Sequence, residues 1–408
     1  MTENFMSTKR IYLDNAATTP VDPAVLKEMM PYFSKKFGNP FSVHSFGQEA
    51  KVAIDNAREQ VANFLGANAE EVFFTSGATE SNNWTVNGIL TKVKASMAEK
   101  PESAFTPHII TSAFEHHCVL NSSLASEKSG VKLSLIKPKS DGVVKAEDIA
   151  KEITDTTVLI SIMYVNNEVG TIQPIKEIGE IVKKVKAERT AKGNKIPLYF
   201  HTDAVQAANY LNCNVDYLGV DLLTISAHKI YGPKGVGALY VRRGTRIAPS
   251  QHGGEQESNM RAGTHNVPGI VGLGKAASLI SKHQKSLPKM KKLRDKLVAE
   301  IMKINGTQIN GSIEFRTPNN ANFSFRGIEG ESLIISLDMA GIAGSTGSAC
   351  SSASLEPSHV LTSMGIPPEV AHASLRLTLG KDTTEQEINY VIKTLPVIIE
   401  RLRKISGR

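Results

Sequence analysis

The chain has 408 residues, 41% of them apolar and 6% aromatic, enough for one large and one smaller domain with buried cores, which excludes a disordered or fibrous protein. Its formal charge of +7 sits on lysines spread over stretches such as KKVKAERTAKGNK (183–195) and KHQKSLPKMKKLRDK (282–296); with no aromatics between them, these read as solvated helix faces rather than a nucleic-acid surface. Cys118, Cys213 and Cys350 stand far apart with no C-x-x-C pair, which suits a reducing, cytoplasmic compartment and excludes a disulfide framework.

In chain order, MTENFMSTKR has no apolar signal core, and Met6 is a second candidate start. No later run approaches the roughly 18 to 20 apolar residues that would span a bilayer. Short β-rich runs then alternate with helical patterns: EVFFTS, HIITSA, KLSLIKP, TVLISIMYV, PLYFHTDA, DLLTISA and GALYVR. That alternation predicts βαβ units and a mainly parallel sheet. Beyond about residue 272 the pattern changes. A lysine-rich helix leads to ANFSFRG and ESLIISLDMAGI, and after a Gly/Ser segment come ASLRLTLG and a closing amphipathic helix, TEQEINYVIKTLPVIIERLRK. Strands mixed with long helices predict a smaller α+β domain.

Ligands of open parallel sheets gather at the carboxyl ends of the strands, and the residues placed there are chemically distinctive. After VFF comes TSGATESNN (75–83), where Gly77 permits a tight turn and the amides near Ala78 and Thr79 open a helix, a weak anion-site signal that an ordinary cap would also give. After PLYF come Asp203 and Gln206, and after DLLTI come Ser226, His228 and Lys229. Asp203 and Lys229 lie about one strand repeat apart, so both can face one cleft. An unperturbed lysine, with a pKa of about 10.4, is almost wholly protonated and a poor nucleophile, but burial or neighbouring cations lower that value. A lysine amine, an acid for a ring nitrogen and an anion cradle together are what pyridoxal 5'-phosphate (PLP) requires of a protein.

YLDNAATTP (12–20), FTSGATESNN, VNNEVG (165–170), HTDAVQ, SAHKIYGPKGVGALY and GSACSSASLEPSHVL (347–361) together resemble the NifS/IscS-like cysteine desulfurases of the class V aminotransferase family, in order from about residue 11 to residue 390. The resemblance implies an α/β, fold type I (aspartate-aminotransferase-like) architecture. Its large PLP-binding domain would span 16–271, and its small α+β domain, made of 1–15 and 272–408, would carry the cysteine segment.

The resemblance also implies roles. Lys229 would hold PLP through its amine and later shuttle the substrate's Cα proton. Asp203 would pair with the pyridinium nitrogen, Gln206 would bond the phenolic oxygen, and His116 would lie over the ring. Thr79, Ser226, His228 and the amide of Ala78 would bind the phosphate, completed by Thr264 from a partner subunit in a homodimer. Asn167 and Arg376 would bind the carboxylate of L-cysteine, and Cys350 would take its sulfur as a persulfide for an acceptor protein. No metal is implied.

Each residue also has a simpler reading: a turn-forming Asp, a core His, a solvent-facing Arg on the alternating SLRLTLG strand. The two histidines of EHHC, read as strand residues, point to opposite faces and make poor metal ligands. Cys350 sits among small residues that offer little bulk to pin a thiol that must travel, whereas Cys118 and Cys213 lie in apolar contexts and read as structural. Selenocysteine lyase is the nearest alternative, since a whole methylene separates substrates by only about 10- to 200-fold and sulfur differs from selenium by less. A catalytically silent scaffold is the alternative from another class. The tail RLRKISGR lacks the longer extension of members that dock an iron–sulfur scaffold, so iron–sulfur assembly, tRNA thiolation and other sulfur uses all stay open.

Overall fold

The computed structural model describes residues 10–98, 105–346 and 356–406. The short strand β1 (Ile11–Tyr12) comes first. The next seven are β2 (Val72–Thr75), β3 (His108–Ser112), β4 (Lys132–Ile136), β5 (Thr157–Ser161), β6 (Tyr199–Asp203), β7 (Leu222–Ser226) and β8 (Gly237–Val241). They form one sheet in the order β2-β8-β7-β6-β5-β3-β4. Only β8 runs against its neighbours, and each β-rich run of the first 242 residues supplies one strand. β3, β5, β6, β7 and β8 are buried along their whole length, as expected for strands covered by helices on both faces.

The helix Ser45–Leu65 shows how sequence sets packing. Ala50, Ala53, Ile54, Ala57 and Val61 recur at helical spacing and are buried, so a small-residue stripe faces the helix Val267–His283. There Gly274 is required: a Cβ on it would lie 2.6 Å from the Cα of Ala57. Gly66, at φ +65°, closes the first of these helices in the left-handed conformation.

A second, three-stranded antiparallel sheet is built from β9 (Thr307–Ile309), β10 (Asn320–Phe325) and β12 (Ser374–Thr378). β11 (Ile342–Ala343) pairs in parallel with β1. The helices Leu287–Ile301 and Glu385–Ile405 pack here through a separate core containing Leu297, Phe323, Leu375 and Leu395. Thr384 caps the last helix in a reciprocal box with Glu387. The division anticipated at 271/272 falls inside the helix Val267–His283, whose buried face as far as Ile280 belongs to the larger core. Members of the smaller core resume at Met290. Val360, Leu361 and Met364, far along the chain, also pack into the larger core.

Candidate active site

A cavity of about 670 Å³ opens at the carboxyl ends of β6 and β7. The register places Asp203, the last residue of β6, opposite Thr224 of β7. Two residues later β7 ends at Ser226, and a single 3-10 turn, Ala227–Lys229, brings the lysine round into the cavity. Its Nζ donates to the carbonyls of Ala16 and Ala17 at 2.6 and 2.7 Å. Its own carbonyl accepts from Asn209 at 2.6 Å. Gln206 donates to the same Ala16 carbonyl at 2.9 Å, so two side chains from separate loops meet on one short stretch of backbone.

Asp203 is buried, and both its oxygens are engaged: Oδ2 accepts from Asn82 at 2.7 Å and Oδ1 from the amide of Val205 at 3.0 Å. Asn82 was not singled out from the sequence. Its signal is there, since in the helix Ala78–Ala98 it falls one turn beyond Ala78 and so on the face already assigned to the ligand.

That helix begins at the cavity wall. Ala78, Thr79, Ser226 and His228 all line this end, and Gly77 leaves open space where a side chain would stand. Burial, with Lys229 and Lys234 nearby, pushes His228 down to about 4, leaving a neutral ring. The acid of the same turn, Glu80, is neutralised by Arg261 at 2.8 Å, so free helix amides and a lysine face an incoming anion.

His116 lines the cavity but is not a strand residue. It caps the helix His117–Lys128, its Nδ1 accepting from the amide of Cys118 at 3.2 Å. The opposite-faces argument about EHHC therefore does not apply, because these residues turn into a helix. Burial lowers the pKa of His116, so its ring is neutral at neutral pH. Cys118, expected in apolar surroundings, also lines the cavity and sits 3.1 Å from Asn82 Nδ2 and 2.9 Å from His116 Nδ1. Burial pushes its thiol up to about 12, so it stays protonated.

At the opposite end lies Arg376. It is 3% exposed rather than solvent-facing, donating to Asp14 Oδ1 at 2.8 Å and to the carbonyl of Asn167 at 3.0 Å. The turn that presents Asn167 is rigid: Asn166 accepts from the amides of Glu168 and Val169, and Gly170 ends it at φ +70°. Among the described residues Arg376 Nε and Asn167 Oδ1 are buried without hydrogen-bond partners, as donors and acceptors reserved for a ligand would be. Glu168 lines the same wall, raised by burial to about 7 and bonded by Ser358 Oγ at 2.5 Å. Thr264 is exposed and does not line this cavity. Cys350 lies outside the described residues.

These residues fit PLP. A buried carboxylate, a lysine amine and a helix N-terminus share one cavity, with unpartnered polar atoms left for an amino acid. The comparisons agree. The aminotransferase class-V model matches residues 11–391. A cysteine desulfurase IscS of Dictyoglomus turgidum is 48% identical over 98% of this chain and 96% of its own length, and one of Methanosarcina thermophila is 47% identical over 98% and 94%. A solved NifS-like protein superposes with a TM-score of 0.86 at 39% identity, covering 96% of this chain and all of the other. The chain belongs to the class V aminotransferase family, in its NifS/IscS-like cysteine desulfurase branch. It is a PLP-dependent enzyme of fold type I.

Proposed function

We propose that this enzyme removes the sulfur of L-cysteine, releasing L-alanine and leaving a persulfide on Cys350. The observation that carries this reading is the convergence on one cavity of Lys229, Asp203, His116 and Arg376, from elements far apart in the chain. Bound PLP supplies an electron sink for the substrate's Cα. Asp203, oriented by Asn82, would pair with the ring nitrogen. Arg376 and Asn167 take the substrate carboxylate, and charge-assisted bonds of this kind contribute about 1.5 to 3 kcal/mol each. Lys229 Nζ accepts the Cα proton. The Cys350 thiolate attacks the substrate Sγ; an S–S bond forms, the Cβ–Sγ bond breaks, and its electron pair stays with the three-carbon fragment. Cβ takes a proton, Cα regains the one it lost, and alanine leaves. His116, neutral and at the cavity wall, assists these proton transfers.

A homodimer fits the surface around Thr264. The neighbouring His265 stacks on Phe41 at 5.9 Å, and Phe33, Phe37, Phe41, Val43 and Phe46 are all exposed. An apolar patch of that kind marks an interaction face, and a second copy seated there would bring Thr264 towards the neighbouring phosphate cradle. Among the described residues no helix is long and apolar enough to cross a membrane. The cysteine pattern fits a reducing, cytoplasmic setting, with the persulfide passed to an acceptor protein of iron–sulfur assembly or tRNA thiolation.

The test is a Cys350→Ser variant. It should keep its PLP absorbance yet release no sulfide from L-cysteine with a reductant present, and full activity would exclude this route. Turnover measured on L-selenocysteine alongside L-cysteine separates desulfurase from lyase.

A further inference from the structure

Arg376 carries five N–H donors, and the structure allots them unevenly. One Nη1 hydrogen goes to the Asn167 carbonyl at 3.0 Å, one Nη2 hydrogen to Asp14 Oδ1 at 2.8 Å, and Nε–H has no partner among the described residues. Nε–H and an adjacent Nη hydrogen form the parallel pair that a carboxylate accepts side-on. A guanidinium on a flexible side chain presents that pair only if something fixes its rotation, and its two existing bonds do so.

The Asn167 carbonyl belongs to the rigid 166–170 turn. Asp14 is held as firmly. It bridges to Thr378, two residues beyond Arg376 on β12. Thr378 N donates to Leu13 O at 2.7 Å, Thr378 Oγ1 accepts from Ala16 N at 2.9 Å, and Asn15 Nδ2 donates to Thr378 O at 2.9 Å. The carboxylate thus hangs from a turn stitched to the strand that bears the arginine.

We infer that Asp14 is a positioning residue for amino-acid recognition, rotating the Arg376 guanidinium so that its Nε edge receives the substrate carboxylate. A residue present only to neutralise a buried charge would behave differently. Its loss would cost stability and cofactor retention without singling out carboxylate binding.

The inference rests on the proposed reading only in taking an amino acid as the ligand. Holoenzyme with Asp14→Asn or Asp14→Ala is titrated by absorbance with L-alanine, which carries the carboxylate but no sulfur, and assayed with L-cysteine. Asp14→Ala should weaken L-alanine binding and raise KM for L-cysteine by about tenfold or more, the effect of one charge-assisted bond, with a smaller change in kcat. Asp14→Asn, which keeps an acceptor at the same place, should recover part of the loss. In an Arg376→Lys background, Asp14→Ala should add almost nothing. Unchanged L-alanine affinity in both variants, or a full additive effect in that background, overturns the inference. Failure of the desulfurase reading appears instead in the wild type, as no turnover of L-cysteine, while L-alanine titration still decides the role of Asp14.

Discussion

The amide of Asn82 reaches across 121 positions of sequence to donate to Asp203 at 2.7 Å, and the same nitrogen lies 3.1 Å from the Cys118 sulfur. In the proposed reading, the carboxylate that would meet the cofactor ring is thus held by a helix whose N-terminus would also receive the phosphate. Asn82→Ala removes a bond to an ionised group, worth about 1.5 to 3 kcal/mol. Alanine formation from L-cysteine should fall about tenfold or more, on the scale of 1.4 kcal/mol per tenfold, with PLP still held through Lys229. Undiminished kcat would show that Asp203 needs no such support.

The described cysteines should be chemically silent. Burial pushes Cys118 and Cys213 each up to about 12, and the thiolate is the reactive form. Iodoacetamide treatment of native enzyme near neutral pH, read by peptide mapping, should modify Cys350 and spare the other two. Comparable labelling of Cys118 would contradict the raised pKa of its thiol.

Stability should carry a pH signature from Glu115. This carboxyl is fully buried, with Oε1 bonded by Ser112 and the Met163 amide and Oε2 unpartnered among the described residues. Burial raises its pKa to about 8, against about 4.3 in an unfolded chain. Between those values the folded protein holds more protons than the unfolded chain, so its stabilising contribution falls as pH rises through that window. Glu115→Gln lacks the titration, and its Tm relative to wild type should climb between pH values of about 5 and about 8. Parallel Tm profiles would refute the assignment.

A different sign applies to Glu257. Burial opposes its ionisation, but a bidentate bond with Arg58 at 2.7 Å and another with His265 outweigh burial and draw it to about 2. Its contribution is present at neutral pH and is lost progressively as pH falls below about 4. The pair anchors a strained loop in which Glu257, Ser258 and Asn259 all adopt positive φ, at 48°, 55° and 65°. Glu257→Ala leaves Arg58 without its carboxylate, holding only the Val72 carbonyl, and should cost about 3 to 5 kcal/mol in urea unfolding. A loss within error of zero would mean the loop is held by other contacts.

Local patterning made much of this legible. The seven strands of the large sheet follow β-rich runs between helical segments, and Lys229, Asp203, His228 and Thr79 stand at element ends where chemistry is expected. What patterning could not show are the partnerships. Asp14 meets Arg376 across 362 positions and Arg58 meets Glu257 across 199, and no local periodicity encodes such pairings. His116 was misplaced on a strand because EHHC follows a β-rich run directly, and the helix starts on a histidine side-chain cap rather than on Ser, Thr or Asp. The helix Val267–His283 runs across the 271/272 division along the larger core, and its apolar face looks alike on both sides of that point.

The most direct measurement is the mass of the peptide containing Cys350 after holoenzyme meets L-cysteine without reductant. The account predicts one added sulfur atom on Cys350, one alanine formed per sulfur bound, and neither product in a Lys229→Ala variant. Alanine formed with no sulfur on Cys350, or sulfur acquired equally by the Lys229→Ala protein, would contradict it.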